Sequence, residues 1–135
     1  MEDCLFCKII DGKIPAQVIY QDDFTIGVLD ILPRSIGHTM VIPKKHAETI
    51  LDLSDDEVAK VFQSVKKVTQ LLKDKIKSDG FTIGINHGKV SGQAIDHLHV
   101  HIIPRFIGDK GGSIHSVVEN PPQKSLQEVK DMIIG

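Results

Sequence analysis

His97-Leu98-His99-Val100-His101-Ile102-Ile103-Pro104-Arg105 alternates imidazole with aliphatic side chains over its first six residues. A repeat of two is the signature of a β-strand with two unlike faces. Leu98, Val100 and Ile102 are expected to enter a core, and His97, His99 and His101 to share the opposite face. Core packing supplies no reason for three imidazoles in a row, so the pattern marks a chemical site. One metal ion does not explain all three. Strand rise of about 3.3 Å per residue sets alternate side chains roughly 6.6 Å apart and the outer pair roughly 13 Å apart. Zinc–nitrogen bonds of about 2.0–2.1 Å in a tetrahedron reach two of these rings, leaving at least one imidazole for other work.

The residues just upstream suggest what that work is. His87-Gly88-Lys89-Val90-Ser91-Gly92-Gln93-Ala94 is a glycine-bearing loop feeding the histidine strand. Glycine lets backbone N–H groups approach an anion closely, so the loop reads as a phosphate cradle. Imidazole offers a neutral nitrogen nucleophile near pH 7 and, when protonated, a donor to phosphate. Together they suit phosphoryl-type chemistry without magnesium. Neither a Gly-x-x-x-x-Gly-Lys-[Ser/Thr] loop nor a Gly-x-Ser-x-Gly elbow is present, which excludes P-loop and serine-elbow enzymes.

The 135 residues, 41% hydrophobic, suit one compact domain over 1–135, with a core at 3–107 and a looser tail at 108–135. A net charge of −2 argues against a non-specific grip on nucleic acid or an anionic membrane. With no tryptophan and a single tyrosine, little is available for stacking on bases. No apolar run is long enough to span a bilayer, and the acidic start lacks a secretory core. A cytoplasmic setting is expected, where Cys4 and Cys7 stay reduced.

Cys4 to Ile10 reads as a short helix ended by Asp11-Gly12. Its Cys-x-x-Cys is open to three readings: a redox pair, half of a metal site, or two small buried residues. Val18–Gln21 and Phe24–Asp30 form a hairpin turning at Asp22-Asp23. Asp30 lies at a strand end, where a carboxylate can either accept from ribose hydroxyls or shape the turn before Pro33. Gly37–Pro43 is a third strand, followed by a Lys44-Lys45-His46 loop. Ser54 and Glu57 make a capping box for a long amphipathic helix through Ile76, stopped at Ser78-Asp79-Gly80. Phe81–Asn86 is a fourth strand. A last short helix starts at Ser125, with Glu128 closing a second capping box.

Gly92-Gln93 followed by His97-Leu98-His99-Val100-His101-Ile102-Ile103 resembles the signature of the histidine triad superfamily of nucleotide hydrolases and transferases. Cys4–Ile10, Leu29-Asp30-Ile31, Gly37–His46 and Ile102–Arg105 resemble its bacterial-type nucleotide-binding branch, so the likeness runs over roughly residues 3–107. It implies an α+β fold with a five-stranded antiparallel sheet, one long helix and one or two short ones. It also implies a homodimer whose sheets join into ten strands.

By the same resemblance, His99 attacks the α-phosphorus of a purine nucleoside 5′-phosphoramidate or related AMP derivative. A covalent nucleotidyl-histidine results, and water releases the monophosphate. The His97 carbonyl holds the His99 tautomer, His101 donates to phosphate and aids the leaving group, and His38 supports the triad. Asp30 holds the ribose, with Ile31 against the base, while Asn86, Gly92, Gln93 and the Ala94 backbone cradle the phosphate. Cys4, Cys7, His46 and His97 fit a Cys₂His₂ structural zinc site, matching the spacing in zinc-carrying relatives. No Mg²⁺ is required. Ala94 replaces a hydroxyl residue of some relatives, and no tryptophan stands near the C-terminus; both bear on leaving-group preference. A dinucleoside polyphosphate hydrolase and a zinc-stabilised nucleotide-binding partner protein with incidental turnover are the competing readings. A DNA-adenylate repair role lacks both a DNA-binding module and a basic excess.

Overall fold

The computed structural model describes residues 3–135. It comprises helix α1 (Leu5–Ile10), strands β1 (Val18–Gln21), β2 (Thr25–Leu29) and β3 (Thr39–Pro43), helix α2 (Asp55–Ile76), strands β4 (Gly80–Gly84) and β5 (Val100–Arg105), and helix α3 (Leu126–Ile134). The strands form one antiparallel sheet in the order β1-β2-β3-β5-β4. β5 lies inside the sheet between β3 and β4, with Val41 opposite Val100 and Ile83 opposite Ile102.

The long helix forms where its ends are specified locally. The Ser54 hydroxyl accepts from the Glu57 N–H at 3.2 Å, and the Glu57 carboxylate accepts from the Ser54 N–H at 2.9 Å. Three acidic residues in the first turn and Lys73 and Lys75 in the last complement the helix dipole. Lys77 takes a left-handed conformation (φ +59°) and ends the helix. Val61, Val65, Val68 and Leu72 pack against Val41, Leu98, Val100 and Ile102 on one sheet face. Gly27 leaves room for Tyr20 on the neighbouring strand: a Cβ there would lie 3.2 Å from Tyr20 Cβ. On the other face, Phe6 of α1 joins Ile26, Val28 and Ile42 in a smaller cluster. One face is therefore closed by a long helix and the other only partly covered by a short one, which leaves room there for chemistry.

The strand bounds expected from sequence are trimmed. Regular pairing of the histidine segment begins at Val100, so His97 and His99 precede β5. The His97 N–H bonds the Ile95 carbonyl and the Leu98 N–H reaches the Ala47 carbonyl, beyond the end of β3, so the chain bends before it joins the ladder. The two-residue alternation survives the bend: Leu98, Val100 and Ile102 all lie in the α2-facing core. β2 and β3 likewise start or stop one or two residues inside the expected limits, and β4 begins one residue earlier and ends two residues earlier than expected. α3 has the expected Ser125–Glu128 capping box yet buries none of its residues. Among the described residues no helix is long and apolar enough to cross a membrane.

Candidate active site

The bend before β5 sets the main-chain carbonyl of His97 next to the ring of His99, whose Nδ1–H donates to it at 2.8 Å. That bond fixes the tautomer: Nε2 of His99 carries the lone pair. His99 is 7% exposed and His97 fully buried.

A second chain of imidazoles runs beside it. The Arg34 N–H donates to His38 Nδ1 at 3.1 Å, so the proton of neutral His38 sits on Nε2. That Nε2–H donates to His101 Nδ1 at 2.9 Å, which leaves His101 with its proton on Nε2. The Asp30 carboxylate lies 3.4 Å from His38 Nε2 and 3.9 Å from His101 Nδ1. Burial lowers the pKa of His38, opposed by the Asp30 charge. Burial, with His99 and His38 adding to it, pushes His101 down to about 4. Both are therefore neutral at pH 7. The site thus sets Nε2 of His99, the nitrogen its hydrogen bond leaves bare, beside an N–H on His101, with ring centroids 5.0 Å apart.

Asp30 Oδ1 also accepts from the Leu32 N–H at 2.9 Å, which shapes the turn after β2. Of the two sequence readings of Asp30, the turn-shaping one is seen directly in this bond. Ile31 is 87% exposed beside it. In the glycine loop, Gly88 and Gly92 have φ of +85° and +99°, a region that favours glycine. Gly92 lies against Asn86, whose Cγ is 3.9 Å from where a Cβ would stand. Gln93 differs from its expected place among the phosphate contacts. Its amide is spent on the chain itself, accepting from the Gly88 N–H and donating to the carbonyls of Glu48 and Ile95. Its main-chain N–H bonds the Gly88 carbonyl. A buried amide this fully engaged shapes the loop. Among the described residues the N–H of exposed Ala94 meets no acceptor.

The four residues expected at a metal site come together. Cys4 Sγ is 3.2 Å and Cys7 Sγ 3.5 Å from His97 Nδ1, and Cys7 Sγ is 3.3 Å from His46 Nδ1. All four ligand atoms lie within 4.8 Å of one another. Tetrahedral bonds to zinc would separate sulfur from nitrogen by about 3.6 Å, so the spacing suits that ion. The His97 tautomer suits it too: Nε2–H donates to the Pro43 carbonyl at 2.8 Å, turning the Nδ1 lone pair toward the thiols. Burial and the neighbouring Cys4 push the Cys7 thiol up to about 11, a charge deficit that a bound cation would offset. These residues can hold a metal ion. A cavity of about 360 Å³ lined by Cys4, His46, Glu48, Ala94 and Asp96 opens beside them; neither His99 nor His101 lines it.

Sequence reasoning missed Phe6, whose ring meets those of His97 and His99 edge-on. It also missed the carbonyl of Pro43 and the N–H of Arg34. A lone phenylalanine in an apolar helix carries no sign of what it touches, and main-chain groups carry no residue-type signal at all.

Comparison with known proteins agrees with this geometry. The model of the HIT domain family matches residues 11–108. An uncharacterized HIT-like protein of Methanocaldococcus jannaschii is 50% identical over 106 residues, covering 78% of this chain and 81% of that one. The adenosine 5′-monophosphoramidase hnt1 of Schizosaccharomyces pombe is 40% identical over 102 residues, covering 76% and 74%. The crystal structure of a zinc-bound histidine triad family protein from Mycobacterium smegmatis superposes with a TM-score of 0.77 at 38% identity, covering 81% and 79%. Matched along most of its length by the family model and by a relative 50% identical to it, the chain belongs to the HIT domain family.

Proposed function

We propose that this protein hydrolyses purine nucleoside 5′-phosphoramidates or related AMP derivatives through a nucleotidyl-His99 intermediate. The observation that carries the reading is the bond from His99 Nδ1–H to the His97 carbonyl, which leaves His99 Nε2 free to attack phosphorus. A P–Nε2 bond forms as the phosphoramidate P–N bond breaks. The imidazole becomes cationic, and the His97 carbonyl, already on Nδ1–H, stabilises that charge. The departing nitrogen takes a proton from solvent and leaves as the amine, while His101 donates a hydrogen bond from its Nε2–H to a non-bridging oxygen. His38 keeps the proton on that nitrogen by occupying His101 Nδ1. Water then attacks the nucleotidyl-histidine, releases the monophosphate and restores the lone pair. Asp30 takes the ribose hydroxyls with an oxygen that has lone pairs to spare, and Ile31 lies against the base. Asn86, Gly92 and the Ala94 N–H hold the phosphate within a loop shaped by Gln93. The relative named as an adenosine 5′-monophosphoramidase supports this substrate class.

Zinc suits the Cys4, Cys7, His46 and His97 donor set, where it would pin α1 to the catalytic segment and take no part in the reaction. A second copy of the chain pairs along β4, an edge strand, giving a ten-stranded sheet.

The test is His99→Asn. AMP affinity should persist while turnover of an adenosine phosphoramidate drops on the order of 10⁴-fold or more. Wild-type rates on diadenosine polyphosphate measured alongside should be lower. Turnover surviving the substitution would remove His99 from the mechanism.

A further inference from the structure

The metal-binding cluster and the nucleophile share more than a neighbourhood. His97 belongs to both: its Nδ1 faces the thiols, and its carbonyl holds His99 Nδ1–H. A second connection runs through Phe6, which sits between Cys4 and Cys7 in sequence and is 3% exposed. Its ring meets His97 at 5.9 Å between centroids and 84° between planes, and His99 at 5.0 Å and 73°. Among the described residues the one hydrogen bond of the His99 ring is that to the His97 carbonyl. A single bond leaves the ring able to rock about it, and two rings form the walls that limit that motion: His101, with its centroid 5.0 Å away, and Phe6, at the same distance.

Phe6 packs on Ile26, Val28 and Ile42, and the helix that carries it is tied down by the cluster. α1 has six residues, too few to persist alone. It is capped by Cys4, whose Sγ accepts from the Cys7 N–H at 3.3 Å, and its thiols reach His46 and His97.

We propose that Phe6 is a positioning residue for His99 and that metal occupancy of Cys4, Cys7, His46 and His97 sets its position. The metal site and the nucleophile then act as one unit: loss of the ion loosens α1, withdraws the Phe6 wall and releases the His97 backbone together. This proposal rests on the role given to His99 above.

The experiment compares zinc-loaded wild type, chelator-treated wild type, Phe6→Ala and Phe6→Leu, all full-length. Metal content and circular dichroism are measured for each. ¹⁵N NMR of the His99 imidazole without nucleotide reads the tautomer independently of catalysis. Rapid-quench measurement of nucleotidyl-His99 formation, beside AMP affinity, separates chemistry from binding. Phe6→Ala should stay folded with about one zinc per chain. It should nevertheless lose the single Nδ1–H tautomer and form the intermediate roughly 10- to 100-fold more slowly. AMP affinity should change by less than about threefold. Phe6→Leu, keeping most of the wall, should recover most of the rate. Chelated wild type, held below its unfolding temperature, should copy the Phe6→Ala spectrum. An unchanged His99 spectrum and rate after metal removal would overturn the coupling. A loaded Phe6→Ala protein indistinguishable from wild type would reduce Phe6 to packing. Should wild type form no nucleotidyl-histidine while the spectral changes still appear, the proposed function falls and the coupling stands.

Discussion

At the scale of single residues, the site depends on which nitrogen of each imidazole carries a proton. Every tautomer is set by a main-chain or imidazole partner: His97 carbonyl for His99, Arg34 N–H for His38, His38 for His101. The same burial makes the fold acid-sensitive. His101 titrates at about 4 in the folded chain against an ordinary 6.5. Between those values the unfolded chain binds more protons, so acidification favours unfolding. Its contribution is fully present above pH 6.5 and is lost as pH falls through 4, a total of about 3 kcal/mol. His38, shifted the same way, adds to it. Urea melts from pH 7 to pH 4 should show this loss; a flat profile would mean that His101 is not desolvated. Asp22 shows the limit of local reading. In sequence it belongs to a hairpin turn. In the fold its carboxylate accepts from Tyr20, Ser64 and the N–H groups of Phe24 and Thr25, tying that turn to α2. Burial alone would raise its pKa, but these donors outweigh it and hold it well below the usual carboxylate range.

At the scale of elements, what depends on neighbours in sequence was readable and what depends on distant partners was not. Both capping boxes, at Ser54–Glu57 and Ser125–Glu128, stand where their four-residue patterns lie. They are satisfied within one turn whatever surrounds them, which is why α3 is capped although none of its residues is buried. Removing the cap of α2 should cost about 1 kcal/mol. Ser54→Ala is thus expected to lower the melting temperature by roughly 3–5 °C without altering AMP binding, checked by calorimetry and titration. Strand ends were less legible. Whether His97 and His99 belong to the ladder depends on Ala47 accepting the Leu98 N–H, a contact 51 positions away.

At the scale of the whole molecule, α2 seals one sheet face while α1 covers part of the other, and β4 ends the sheet with an unpaired edge. Ile83 on that edge is 40% exposed, and Phe62 on α2 is 43% exposed. Pairing of two copies there predicts a mass of about 30 kDa by light scattering, twice the chain's 14.9 kDa. Ile83→Lys should shift it toward the single-chain value, whereas a 14.9 kDa wild type at micromolar concentration would exclude the arrangement.

The sequence alone determined the antiparallel α+β framework, the face on which the three histidines lie, and the four residues able to bind a metal. The histidine face follows from periodicity, which travels with the chain; the five-stranded framework and the metal-binding four follow from the likeness of its motifs to those of the histidine triad superfamily. Tertiary structure alone decided the protonation pattern of the imidazoles, the internal use of Gln93 and the meeting of Phe6 with His99. Each of these depends on a main-chain group or apolar surface brought from far along the chain, and neither leaves a mark in residue type or spacing.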